Sequence, residues 1–126
     1  MRKIVATSKA PAAVGPYAQA NIFGNMVYTS GQIGLVPETG EMVEGVEAQT
    51  RRVLENLKAV LEEAGSGMDK VLKTTCFLAD IGDFGLVNSI YGEYLGGEQL
   101  PSRSAVQAAA LPKGALIEIE AIAYIE

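Results

Sequence analysis

The chain has 126 residues, 48% hydrophobic and 20% charged, enough for one sizeable core and too few for two ordinary domains, so a single domain over 1–126 is expected. Ten Lys and Arg against fifteen Asp and Glu leave a net charge of -5, which offers no broad basic surface and argues against nucleic acid as the main partner. His is absent and Cys76 is the lone cysteine, which removes imidazole catalysis, His-containing metal sets, disulfide frameworks and CxxC redox chemistry together.

The N-terminus holds only Ile4, Val5 and Ala6 before polar residues return, too short an apolar run for a secretory leader, so a cytoplasmic protein is expected. Residues 10–37 carry no Asp, Glu, Lys or Arg, but three prolines, four glycines, two asparagines and two glutamines argue against a membrane helix there. Gly24-Asn25 between β-rich runs predicts a tight hairpin of strands 17–23 and 26–33, and Pro37-Glu-Thr-Gly40 an exposed turn. From Val46 the period changes. Thr50, Val53, Leu54, Leu57, Val60, Leu61 and Ala64 recur at helical steps, while Glu47, Arg51 and Glu62 fall on a solvated face, and Gly65 ends the helix. Val71–Leu78 reads as a strand. A second helix follows, with Asp83 as N-cap, then Phe84, Val87, Asn88, Tyr91 and Leu95 at helical spacing, and Gly96-Gly97 as its stop. Two final strands, 103–109 and 115–124, are joined by the turn Leu111-Pro-Lys-Gly114.

This order, β-β-α-β-α-β-β, predicts an α+β fold with one sheet and two helices on one face. In the last strand Ile117, Ile119, Ala121, Ala123 and Ile125 point one way, and Glu118, Glu120, Ile122 and Tyr124 the other. Neither set looks fully solvated, and nothing remains in the chain to cover the second face. Burial against other copies, a homo-oligomer, is the expectation.

Arg103 is the one charged residue between Glu98 and Lys113. Among small and apolar neighbours its guanidinium needs an acceptor, either Glu118 or Glu120 on an adjacent strand or the carboxylate of a small ligand gripped bidentately. Glu118 and Glu120, two apart on one face, should influence each other's protonation, either as an acid/base pair in a partly dry cleft or as a sheet face meeting water. Gly15-Pro-Tyr17 and Thr29-Ser-Gly-Gln32 carry hydroxyl and amide groups fit to line a pocket or simply to turn the chain. Cys76 reads as a buried, inert thiol with no cation at hand. Gly65-Ser-Gly67 and Gly96-Gly97 lack the context of a phosphate loop.

Ala10-Pro-Ala-Ala-Val-Gly-Pro-Tyr-Ala-Gln, Asn25-Met-Val-Tyr-Thr-Ser-Gly-Gln-Ile, Lys73-Thr-Thr-Cys-Phe-Leu-Ala-Asp, Val87-Asn, Pro101-Ser-Arg-Ser and Ile117-Glu-Ile-Glu-Ala-Ile-Ala, in that order, resemble the RidA/YjgF family over essentially the whole chain. The resemblance implies a chorismate-mutase-like fold and a homotrimer with a central barrel and three clefts between subunits. It also implies hydrolysis of reactive 2-enamine and 2-imine acids, such as 2-aminoacrylate, to 2-keto acids and ammonia, with no metal or organic cofactor. Carried over by position, Arg103 would clamp the substrate carboxylate and Glu118 would activate water and relay a proton. Tyr17, Ser30, Gly31 and Asn88 would line the pocket, and Glu120 would serve structure. Many family members have Cys where this chain has Ala105, a position whose backbone carbonyl is thought to meet the substrate nitrogen. A non-catalytic trimer that binds small 2-keto acids is the alternative. A ribonuclease or translation inhibitor fits poorly with an acidic, His-free chain with few aromatics.

Overall fold

A computed structural model describes residues 1–126. Six strands, β1 (Arg2–Val5), β2 (Ala20–Phe23), β3 (Met26–Thr29), β4 (Val71–Leu78), β5 (Ser102–Gln107) and β6 (Ile117–Tyr124), form one sheet in the order β1-β2-β3-β6-β4-β5. All neighbours are antiparallel except β4 and β5, which run parallel because the helix α2 (Phe84–Leu95) carries the chain across between them. The longer helix α1 (Val46–Glu63) packs on β6 and α2. This is the expected α+β arrangement.

The α1 stripe is the centre of the core. Val53, Leu54, Leu57, Val60 and Leu61 are fully buried against Ile117, Ile119 and Ala123 of β6, the inward set of that strand. Each fully buried Leu or Ile side chain supplies roughly 2 kcal/mol of transfer free energy. The helix ends as its sequence directs. Gly65 takes φ 88, its N–H bonds to Glu62 O, and the Ser66 N–H bonds back to Leu61 O, the paired bonds of a Schellman stop. At the hairpin Phe23 pairs with Met26, leaving Gly24-Asn25 as a two-residue loop. Gly24 alone has positive φ, at 63, the type II′ pattern that puts Gly before Asn.

Several expectations need correction. The strand β1 is additional, so the order is β-β-β-α-β-α-β-β; its Arg2, Lys3 and Ile4 are exposed and only Val5 is buried, which leaves no alternating signature. β2 begins at Ala20 rather than 17, because Gln19 turns its side chain to the Thr7 N–H and to the carbonyls of Thr7, Ala10 and Pro11. β3 ends at Thr29 rather than 33. Its hydroxyl takes the Ala121 N–H at 3.0 Å in place of a ladder bond, and pairing resumes only at Gln32 opposite Ile119. β5 and β6 are shorter than expected, and they are not neighbours, since β4 lies between them. The Asp83 side chain caps nothing; Asp80 instead accepts from the Gly82 N–H at 2.8 Å and holds the short 3-10 turn that leads into α2. Arg51, placed on the solvated face, also reaches across to α2 and donates to both oxygens of Glu93 at 2.8 and 3.3 Å.

Candidate functional site

Strand alternation divides the expected site residues into two groups. On β4, Thr74, Cys76 and Leu78 are buried beneath the helices, and Thr75 and Phe77 face the opposite, uncovered side. The register places Arg103 beside Thr74 and Ala105 beside Cys76, hence on the helical side, and Glu118 beside Phe77 and Glu120 beside Thr75, hence on the uncovered side. Arg103 and Glu118 of one chain therefore stand on opposite faces of their own sheet. No ion pair joins Arg103 to Glu118 or Glu120, so the structural pairing weighed for it does not form.

The Glu118 group surrounds a cleft of about 750 Å³ whose walls include Tyr17, Ser30, Gly31, Gln32 and Lys113. Ser30 donates its hydroxyl to Ala18 O at 2.6 Å, tying the segment after β3 to the one before β2. Gly31 lies directly against the Glu118 carboxyl. A Cβ on residue 31 would overlap Glu118 Oε2 and sit 2.8 Å from its carboxyl carbon, so only glycine leaves that carboxyl its place. Burial first, and the charge of Glu120 second, push the Glu118 carboxyl above the usual glutamate range. Of the influence expected between the two carboxylates, the effect of Glu120 on Glu118 is present. No hydrogen bond or ion pair within the chain engages the Glu118 carboxyl, which leaves it free to act on a ligand or water.

The walls of this cleft are held by two amides that periodicity alone does not flag. Gln49 and Asn56, both buried on α1, reach out of the apolar stripe. Asn56 donates to Ile33 O at 3.2 Å and Leu35 O at 2.9 Å, and Gln49 donates to Val43 O at 3.1 Å while accepting from the Leu116 N–H at 2.8 Å. The helix thereby fixes the loops on both sides of Glu118. Lys113 at the rim is the one non-glycine residue with positive φ, at 57. That strained backbone, inside the expected turn, is a second feature without a sequence signal.

The Arg103 group lies on α2. Its Nη1 donates to Asn88 Oδ1 at 2.6 Å, and its Cζ lies 5.0 Å from the Phe84 ring centroid and 4.8 Å from that of Tyr91. Phe84 and Tyr91, expected only as members of a helical stripe, pack with the core and carry a cation as well. Ala105 is half-buried beside Cys76. Cys76 is 1% exposed, and burial pushes its thiol up to about 11. Contrary to expectation a cation does stand near it, since Arg103 pulls the thiol the other way, but burial outweighs that pull.

A family model described as "Endoribonuclease L-PSP" matches residues 7–125. A rat protein named 2-iminobutanoate/2-iminopropanoate deaminase is 52% identical over 124 residues, which cover 98% of this chain and 90% of that protein. Among solved structures, RidA from the Antarctic bacterium Psychrobacter sp. PAMC 21119 is 50% identical with a TM-score of 0.94, covering 98% of this chain and 99% of the other. TdcF of E. coli, solved with bound serine, is 44% identical with a TM-score of 0.93 over 98% and 99%.

Proposed function

The chain belongs to the Endoribonuclease L-PSP family, the RidA family, and from that premise we propose that it hydrolyses 2-enamine and 2-imine acids to 2-keto acids and ammonia. The observation that carries this reading is the matched pair of half-sites. One face presents a guanidinium with unused N–H groups, and the other presents a half-buried carboxyl with a raised pKa. Since the two face apart within a chain, the working site unites Arg103, Asn88 and Ala105 of one protomer with Tyr17, Ser30, Gly31 and Glu118 of the next. The assembly that closes every such cleft in a ring is the chorismate-mutase-like homotrimer, with the uncovered sheet faces lining a central barrel.

In that cleft Arg103 binds the substrate carboxylate through paired N–H bonds, and the Ala105 carbonyl accepts from the substrate nitrogen. Protonated Glu118 delivers a proton to the terminal carbon of the enamine, giving the imine. As carboxylate it then takes a proton from water while the water oxygen bonds to C2 and the C=N π pair passes to nitrogen. Return of that proton to nitrogen makes ammonia the leaving group; the C2–N bond breaks as the C2 oxygen re-forms a carbonyl, and the hydroxyl proton passes to the Glu118 carboxylate, restoring its protonated form. A carboxyl titrating above the usual glutamate range serves both directions better than an ordinary one near neutral pH.

Binding without turnover is the second reading, favoured by the relative solved with serine. The ribonuclease activity in the family's description asks for a basic surface that a chain of net charge -5 does not offer. A coupled reaction separates these readings. With an amino-acid oxidase generating imines, the protein should speed 2-keto acid release, and Arg103→Ala should abolish the effect. Equal release with and without protein, alongside intact 2-keto acid binding, would leave the binding reading in its place.

A further inference from the structure

We propose that Tyr91 and Phe84 are positioning residues that set the Arg103 guanidinium against their rings before any ligand arrives, an inference that rests on reading Arg103 as the carboxylate grip. Phe84, Asn88 and Tyr91 stand at i, i+4 and i+7 of α2, one stripe of the helix, and all three meet the same side chain. Both rings lie against the guanidinium, with centroids 5.0 and 4.8 Å from Cζ, and Asn88 holds one edge through Nη1.

The Tyr91 ring is itself fixed from behind. It is buried, and its hydroxyl lies 2.6 Å from Thr74 Oγ1. Thr74 is the β4 residue in register with Arg103. The circuit closes on itself: sheet pairing sets Thr74 beside Arg103, Thr74 orients Tyr91, and Tyr91 carries the guanidinium. Burial also pushes the Tyr91 phenol up, which keeps it neutral and denies Arg103 an internal anion.

The consequence is chemical. An arginine on an exposed edge strand would have to give up its rotamer freedom each time it gripped a ligand, whereas a stacked one has done so on folding. A guanidinium lodged against rings offers only its edges to hydrogen bonding. Asn88 occupies one of its five N–H groups, so an incoming carboxylate is met by an aligned pair of donors. Lysine, neither planar nor forked, cannot take this place.

The test measures 2-oxobutanoate binding by calorimetry, steady-state turnover of the imine, and the NMR resonance of the Arg103 Nε–H, which neighbouring ring currents displace. Tyr91→Leu should raise Kd and KM roughly ten-fold with little change in kcat, and should move the Nε–H resonance toward its free-arginine position. Tyr91→Phe keeps the ring and should restore affinity to within about two-fold of the parent. Phe84→Leu should weaken binding several-fold and serves in place of Tyr91→Leu if that variant does not fold. Unchanged Kd and an unmoved resonance in the Leu variants would overturn the proposal, as would a loss confined to kcat. If neither the parent nor Arg103→Ala binds 2-oxobutanoate, the carboxylate reading itself falls, while the resonance still reports whether the rings hold the guanidinium.

Discussion

Glu118 occupies a place where its uncharged form is favoured. Burial and Glu120 raise its pKa in the folded chain above the unfolded value, so the native state binds this proton more tightly than the unfolded state does. A group of this kind contributes stability that is fully present below its unfolded pKa and lost as pH rises through its folded one. At pH 8 the ionised carboxylate is thus a burden on the fold. Glu118→Gln removes the charge, and the expected outcome is a Tm at pH 8 equal to or above the parent's, an advantage that disappears below about pH 4. Turnover should fall about a hundred-fold or more while 2-keto acid binding persists. Thermal melts across that pH range with parallel kinetics check both halves; full activity would remove Glu118 from the chemistry. Gly31→Ala tests the same carboxyl from the other side. The added methyl overlaps it, so Glu118 must swing away, and activity should drop at least ten-fold in a protein whose melting changes little. Neither effect is legible in sequence. Gly31 reads there as one more turn glycine, because its constraint is a side chain 87 residues away and not its own backbone angle.

Elements whose signals are local are the ones periodicity finds. α1 carries its stripe and its stop within 20 residues, and the hairpin carries its loop in two. Gly65 is the sharpest of these signals, since its φ of 88 is a conformation that a Cβ disfavours. Gly65→Ala should lower stability by about 1 kcal/mol, read as a shift in the denaturation midpoint with an unchanged m value. A change near zero would mean that the stop tolerates rearrangement. Features that answer to distant partners stay hidden. β1 is four residues that pair only because β2 is there, β3 stops where the Thr29 hydroxyl replaces a ladder bond, and the insertion of β6 between β3 and β4 is a choice no local pattern records. The buried amides of Gln49 and Asn56 look from sequence like interruptions of an apolar stripe. They are instead the ties that hold the cleft walls.

At the scale of the whole molecule, the alternation of β6 already puts Glu118 on the face that the helices do not cover, but the side taken by Arg103 depends on β5 pairing in parallel with β4. That pairing separates the two groups within a chain, so the proposed site requires an assembly. The uncovered face carries half-exposed Tyr28 and Val106 beside Thr75, Glu120 and Ile122, a mixed apolar and polar surface of the kind that association buries. Light scattering should therefore give a mass of about 40 kDa for assembled chains of 13.3 kDa. Complementation is the stronger test. Arg103→Ala and Glu118→Gln homotrimers should each be inactive, because every cleft lacks one group. When the two are unfolded together and refolded in equal amounts, three-quarters of random trimers are mixed, and each mixed ring holds one cleft with both groups intact. The mixture should therefore recover about a quarter of the parent activity. Recovery near zero, with mixed trimers shown to be present, would overturn the shared cleft.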